Sequence, residues 1–182
     1  MKNLYIVRHA KAEGQPPEAR LTKLGEKQAQ SLLKFFEGRK IDTVYSSPFL
    51  RAVKTIEPLA NKRGLSVIQD ERLAERILSV INLDDWMIHL QKSFEDFDYV
   101  LDGGESNRAA YERASSFIED IIISGHDNII AVSHGNLATL LLNYFDDRFG
   151  YKELMELSNP DVFHIRFGTG EPSVNRIWND GV

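Results

Sequence analysis

The sequence predicts a three-layer α/β/α sandwich with a mainly parallel central sheet, and three observations carry that expectation. Leu4-Tyr5-Ile6-Val7 and Ile129-Ile130-Ala131-Val132 are apolar runs without polar alternation, the pattern of strands buried on both faces. Each run stops abruptly, one at Arg8-His9 and the other at Ser133-His134-Gly135. Between them, short β-type stretches alternate with amphipathic helical ones, the order of βα units laid on a parallel sheet. The chain has 182 residues, 42% of them hydrophobic, enough for a core in one domain spanning 1–182.

The first strand begins at about residue 3. A central strand has little tolerance for an Arg-His pair, so Arg8 and His9 are placed just past its carboxyl end, where open α/β sheets hold their ligands. A polar segment from Lys11 to Arg20 follows, kept extended by Pro16-Pro17. Thr22 is the expected N-cap of a helix whose apolar face includes Leu24, Ala29, Leu32 and Phe36 and which closes at Glu37-Gly38. Ile41 to Ser46 reads as a strand. Ser47-Pro48 reads as a helix start, a cap followed by proline at the first helical position. That helix turns Phe49, Ala52, Val53, Ile56 and Leu59 inward, with a kink or early end expected at Pro58 and a stop near Gly64. Leu65 to Ile68 is a third candidate strand.

From about residue 76 to 103 the pattern suits a covering insertion. It holds an amphipathic piece around Trp86, Ile88, Leu90 and Phe94, with acids at Asp84, Asp85, Glu95, Asp96 and Asp98. Trp86, Met87, Phe94 and Phe97 either line an apolar substrate pocket or seat the insertion on the core. Gly103-Gly104 breaks the chain. Ser106 caps a helix that carries Ala110, Ala114, Phe117, Ile118, Ile121 and Ile122 on its inner side and ends at Gly125. The strand to His134 is followed by an apolar helix from about Asn136 to Phe145. Val162 to Phe167 alternates as a strand with one wet face, and Val174 to Trp178 pairs with it as an edge hairpin.

Bulk properties narrow the function classes. A net charge of −5 gives no overall attraction to nucleic acid or to an anionic membrane, so any anion site must be local. With no cysteine, disulfides and thiolate chemistry are excluded. No apolar run is long enough to span a bilayer, and a strand starting at residue 3 leaves no room for a signal peptide. A cytoplasmic protein is the expectation; the sequence sets no oligomeric state.

The residues that carry chemistry stand at strand ends. With Ser47 as cap, Arg51 falls in the first turn of its helix, where its cation adds to the positive end of the macrodipole. His134-Gly135 opens another helix, whose free backbone N–H groups suit an oxyanion. Arg8, His9, Arg51, His134 and that helix start, if brought together, form a phosphate pocket, since arginine donates in a fork that matches phosphate oxygens. A zinc site on His9 and His134 is the rival on composition. Zinc wants three or four ligands at recognisable spacings, and no His-x-x-x-His or carboxylate pattern stands beside them. Neither metal nor cofactor is expected.

These residues resemble those of the histidine phosphatase superfamily, the phosphoglycerate-mutase-like proteins. The likeness runs from Leu4 to about Leu142. It comprises Arg8-His9, Leu21-Thr22 with Gly25 and Gln28-Ala29, and Ser46-Ser47-Pro48 with Arg51-Ala52 and Thr55. Leu73 and Glu75, Gly104-Glu105-Ser106 and Val132-Ser133-His134-Gly135 complete it. Each piece is weak alone; all of them in family order are specific. The resemblance implies that His9 is a nucleophile that takes the phosphoryl group as phosphohistidine, without metal. It implies that Arg8, Arg51 and His134 bind the phosphoryl oxygens and that Glu75 is the acid–base carboxylate, with Gln15 and Gly135 as further phosphate contacts.

This sequence departs from the family pattern in places. Ala10 replaces the usual glycine, Lys11 stands where many members carry Glu or Gln, and Gln15 falls where an asparagine is common. Ile77-Leu78-Ser79-Val80 takes the place of the Trp-Glu-Gly type sequence that often follows the acid–base glutamate. The expected activity is hydrolysis of a small phosphorylated metabolite. Phosphoglycerate mutase and a protein phosphatase acting on phosphohistidine are the enzyme alternatives, with a folded 84–102 segment favouring small esters and a displaced one favouring protein. A non-catalytic phospholigand-binding protein is the alternative from another class and requires Glu75 to be misplaced; a surface ion pair is the non-catalytic alternative for Glu75 itself. His89, His126 and His164 have no motif around them and read as surface or structural.

Overall fold

Alternate residues of one strand explain the layers. A computed structural model describes residues 1–179, so the last three residues of the expected domain lie outside the described part. In β1 (Lys2–Arg8), Leu4 and Ile6 pack into one apolar cluster while Tyr5 and Val7 pack into another. A strand with two buried faces needs a layer on each side. The first layer is α4 (Asn107–Ile123) and α5 (Gly135–Asn143); the second is α1 (Lys23–Phe35) and α2 (Leu50–Arg63).

Six strands form the sheet in the order β3-β2-β4-β1-β5-β6, with β2 at Thr43–Ser46, β3 at Val67–Gln69, β4 at Asn128–Ser133, β5 at Asp161–Phe167 and β6 at Ser173–Arg176. The pairs β3·β2, β2·β4 and β4·β1 are parallel, and β5 and β6 join antiparallel. From β1 the chain passes through α1 to β2 and β3, then returns through α4 to insert β4 beside β1. The helices after β1 and β4 lie on opposite faces, which opens a crevice at the carboxyl ends of these two strands. Register sharpens this: Arg8 pairs with Ser133 and Ser46 with Val132, so His9 follows level with His134, and Ser47 level with Ser133 one residue before it. Two bonds continue the ladders, from His9 N–H to the Ser133 carbonyl at 3.0 Å and from Ser47 N–H to the Val132 carbonyl at 2.8 Å.

Several boundaries differ from the sequence reading, each for a local reason. Arg8 is the last residue of β1 rather than one beyond it. α2 starts at Leu50 with Phe49 as its cap residue, because Ser47 is still held to the sheet and its hydroxyl is engaged elsewhere. The helix runs through Pro58 to Arg63; the carbonyl that loses its partner belongs to Lys54, an exposed residue. It ends at Gly64, whose φ of 66° is the left-handed cap that glycine adopts freely. Leu24 and Ile122, expected inward, are 51% and 40% exposed. α1 closes two residues before Glu37, β3 begins at Val67 rather than Leu65, and a short helix, α6 (Tyr151–Met155), was not foreseen.

Thr22 caps α1 as expected, accepting from Gly25 N–H at 3.0 Å. Gly25 lies so close to the preceding loop that a Cβ there would sit 2.0 Å from the Lys11 carbonyl oxygen. Ser106 caps α4, accepting from Ala109 N–H at 3.1 Å. In the 76–103 segment, α3 (Trp86–Glu95) is folded; Leu90 is buried, and Phe94 and Phe97 pack against the core. Trp86 and Met87 are 47% and 43% exposed, so the aromatic half that seats the segment is Phe94 and Phe97. Among the described residues no helix is long and apolar enough to cross a membrane.

Candidate active site

Three strand ends and one helix start build a cluster of cations and imidazoles. His9 bonds through Nδ1 to the Ala10 carbonyl at 2.7 Å. A carbonyl only accepts, so Nδ1 carries the proton and Nε2 keeps its lone pair. Arg51 Nε donates to that Nε2 at 3.3 Å. Burial, with the neighbouring Arg51 and Arg8 cations, pulls the His9 pKa down to about 3, although its bond to Ala10 acts the other way. The free imidazole is neutral.

Arg51 is only 2% exposed, yet among the described residues no carboxylate bonds to it. Its Nη1 donates to the carbonyls of Gln15 and Pro16, both at 2.9 Å, so Gln15 enters the cluster through its backbone while its side chain is exposed. Thr55, one turn along α2, takes the Ala10 N–H at 2.9 Å and donates to the Arg51 carbonyl at 2.7 Å. The turn after β1 is thereby pinned to the helix that supplies Arg51. Arg8 donates from Nη1 to the Leu157 carbonyl at 3.0 Å, and its Nε is buried without a partner among the described residues. Burial lowers the pKa of both guanidiniums, and the charge of Glu75 counters it. Arg8 lies over Gly135, where a Cβ would stand 3.3 Å from Nη2. Gly135 keeps that space open.

His134 is 1% exposed, and its pKa is pushed well below the ordinary value by burial and then by His9, Arg51 and Arg8. Its ring meets that of His9 edge-on, with centroids 5.0 Å apart, and that of Phe49 at 4.9 Å. Nε2 lies 2.7 Å from Ser47 Oγ. That hydroxyl already accepts from Phe49 N–H at 3.2 Å, so its proton is free to go to Nε2. The imidazole proton then sits on Nδ1, which is buried without a partner among the described residues.

Glu75 stands at the start of α5. Oε1 accepts from the N–H groups of Arg76 at 2.8 Å and Leu137 at 3.0 Å; Oε2 accepts from Asn136 N–H at 3.0 Å. A carboxylate at a helix N-terminus meets the positive end of the macrodipole and satisfies donors the helix cannot. Glu75 is not in a surface ion pair. The strap leading to it is clamped by Arg113, which donates to the carbonyls of Arg72 and Ala74, both at 2.8 Å, and pairs with Glu105 at 2.7 and 2.9 Å.

The structure thus brings together Arg8, His9, Arg51, Glu75, His134 and Gly135. It also adds residues that sequence reasoning missed. Ser47 faces His134, Thr55 and Asn136 hold the turn and the carboxylate, and Asn159 donates to the His9 carbonyl at 2.8 Å from 150 residues away. Ser47 and Thr55 belong to the motif that flagged Arg51; Asn159 has no local signal. Of the other histidines, His164 stacks on Tyr5 with centroids 4.6 Å apart and bonds Asn3, while His89 bonds Tyr99 and Asp85 on α3.

An α/β sheet with this constellation at its switch point defines a phosphoryl-handling enzyme class, and comparison with known proteins agrees. Residues 4–180 match the model of the histidine phosphatase superfamily, branch 1, and the chain belongs to that family. A Hydrogenobacter thermophilus protein provisionally named phosphoserine phosphatase 2 is 32% identical, with 74% of each chain covered. The 2,3-bisphosphoglycerate-dependent phosphoglycerate mutase of Rhizobium etli is 27% identical over 79% of this chain and 70% of its own. In fold, the alpha-ribazole phosphatase from Shigella flexneri superposes with a TM-score of 0.78 at 20% identity, covering 96% of this chain and 95% of that one.

Proposed function

We propose that this enzyme hydrolyses a small phosphomonoester through a phosphohistidine on His9, with no metal in the reaction. The observation that carries the reading is the His9 imidazole, neutral, its Nδ1 proton tied to Ala10 and its Nε2 lone pair facing Arg51 at 3.3 Å. An anionic phosphate repels anionic attackers, whereas a neutral imidazole attacks once cations have taken up the phosphate charge. Arg8 Nε, Arg51 and His134 Nδ1–H supply donors for the three non-bridging oxygens, and Gly135 N–H at the start of α5 adds another. Gln15 supports the pocket from its backbone.

In the first step Nε2 bonds to phosphorus as the ester P–O bond breaks, and the departing oxygen takes a proton from the Glu75 carboxyl. In the second, water attacks phosphorus, Glu75 takes its proton, and the N–P bond breaks to release inorganic phosphate and neutral His9. Oε1 already accepts two N–H groups and Oε2 only one, which leaves Oε2 as the oxygen that exchanges the proton. A mutase shares the first step and returns the phosphoryl group to a bound acid. The phosphoserine-phosphatase-named relative at 32% identity, against 27% for the mutase, favours hydrolysis. Folded α3, seated by Leu90, Phe94 and Phe97, favours a small ester over a phosphoprotein. The reading keeps one domain, a cytoplasmic location and no nucleic-acid partner, in keeping with a net charge of −5.

The test is rapid acid-free quenching of turnover on ³²P-labelled substrate, beginning with phosphoserine, in the presence of a chelator. An acid-labile, base-stable phosphoryl adduct mapping to His9 is the expected result. Turnover without any such adduct, or an adduct on another residue, would sink the assignment.

A further inference from the structure

A ring of buried polar groups joins Glu75 to helix α3. Asn136, whose backbone N–H holds Glu75 Oε2, donates its side-chain Nδ2 to Asn107 Oδ1 at 2.9 Å. Asn107 Nδ2 donates to the Ser93 carbonyl at 2.9 Å. Ser93 Oγ accepts from Arg76 Nη2 at 3.1 Å and donates to the Leu90 carbonyl at 2.6 Å. Arg76 N–H donates to Glu75 Oε1 and closes the ring. Arg76, Ser93, Asn107 and Asn136 are 5%, 0%, 0% and 6% exposed.

Packing alone does not call for this ring. Leu90, Phe94 and Phe97 already seat the segment, and buried polar groups stabilise little beyond what an apolar set would give. What hydrogen bonds add is direction: each bond in the ring fixes the orientation of the two groups it joins, while Arg76 Nε and Asn136 Oδ1 are buried without a partner among the described residues. Here the members hold both carboxylate oxygens, one from the α5 side and one from the α3 side. A shift of Ser93 moves Arg76, and with it the backbone N–H on Oε1. A shift of Asn107 moves Asn136 and the N–H on Oε2.

We infer that Asn107 and Ser93 are positioning residues that make the seating of α3 set where the Glu75 carboxyl stands, and so couple proton donation to the 76–103 segment. The inference rests on the reading of Glu75 as proton donor. A displaced donor costs most where the leaving group most needs a proton, so the effect depends on the ester.

The experiment measures kcat/KM, which reports the step in which the leaving group departs, on p-nitrophenyl phosphate and phenyl phosphate, two esters of similar shape, for the wild type, Glu75→Gln, Asn107→Leu and Ser93→Ala. p-Nitrophenolate leaves with little help; phenolate needs the proton. Loss of folded protein lowers both rates equally and leaves their ratio unchanged. Glu75→Gln is expected to lose about 10²-fold more on phenyl than on p-nitrophenyl phosphate. Asn107→Leu and Ser93→Ala are expected to show the same selectivity at about 5- to 20-fold, as a donor misplaced by a fraction of an ångström would. Selectivity in Glu75→Gln with none in Asn107→Leu and Ser93→Ala overturns the inference and leaves Glu75 in its role. No selectivity even in Glu75→Gln overturns the role of Glu75, and the inference with it. If Asn107→Leu yields no folded protein, Ser93→Ala, which removes one hydroxyl, decides by the same ratio.

Discussion

His9 and His134 end neighbouring parallel strands in the same register, yet their surroundings build two different reagents. His9 has its Nδ1 proton anchored on a backbone carbonyl, and Nε2 is the atom left to react. His134 meets a serine hydroxyl through Nε2 instead, and Nδ1–H is the atom left to bind. Both are held neutral by burial and by the same pair of arginines. The difference lies in the partner of one nitrogen: in the proposed mechanism an acceptor makes a nucleophile and a donor makes a hydrogen-bonding clamp. Position in the sheet supplies the pair, and the turn that follows each strand assigns the parts.

Substitutions can break this contrast in order of size. His9→Ala is expected to lower kcat on p-nitrophenyl phosphate at least about 10⁴-fold, as removal of a nucleophile does, with unchanged far-UV circular dichroism. Retention of more than a hundredth of the activity would mean that another group carries the phosphoryl. His134→Ala, losing one donor to the phosphoryl oxygens, is expected to cost about 10²- to 10³-fold in kcat while still forming the phosphoryl adduct. Equal losses in both variants, with no adduct in either, would erase the distinction. Ser47→Ala frees the His134 tautomer without touching the phosphate, and about 10-fold in kcat is expected; an unchanged rate would show that Ser47 does not set it.

The smallest effect separates the pair from the rest of the molecule by pH. His9 stays neutral in the folded state down to a pKa of about 3, while in the unfolded chain it takes a proton near 6.5. Its contribution to stability is therefore complete above pH 6.5 and is lost as pH falls from there toward 3. His134 acts with the same sign. Urea midpoints should drop between pH 7 and 4.5, and His9→Asn and His134→Asn, which take up no proton, should each flatten that drop. A midpoint profile identical in all three proteins would contradict the burial of these rings.

The strands and the cluster of Arg8, His9, Arg51 and His134 were legible because each lies within a few residues of its signal: an apolar run followed by Arg8-His9, a serine-proline turn followed by Arg51, an apolar run followed by His134. Glu75 was legible only as part of a motif. Its partners Asn136 and Leu137 lie 61 and 62 residues further on, and no local pattern says that a carboxylate will cap that helix. Ser47 misled for a related reason. A serine before a proline is the signature of a cap, but its backbone N–H was still bound to Val132 and its hydroxyl was taken by His134. Pro58 misled because the carbonyl it leaves free belongs to Lys54, an exposed residue on the outer side of the helix, where loss of a partner costs less than in the core.

Position 25 will behave under mutation as though it were catalytic. Any side chain there must push the Lys11 carbonyl away, and the loop that moves with it carries the Gln15 and Pro16 carbonyls that hold Arg51. A screen that scores only surviving activity would mark Gly25 beside His9, although what a side chain there would meet is Lys11 and Leu21. Reach in this enzyme runs along the backbone of one short loop, and tolerance to substitution maps that path rather than distance from His9.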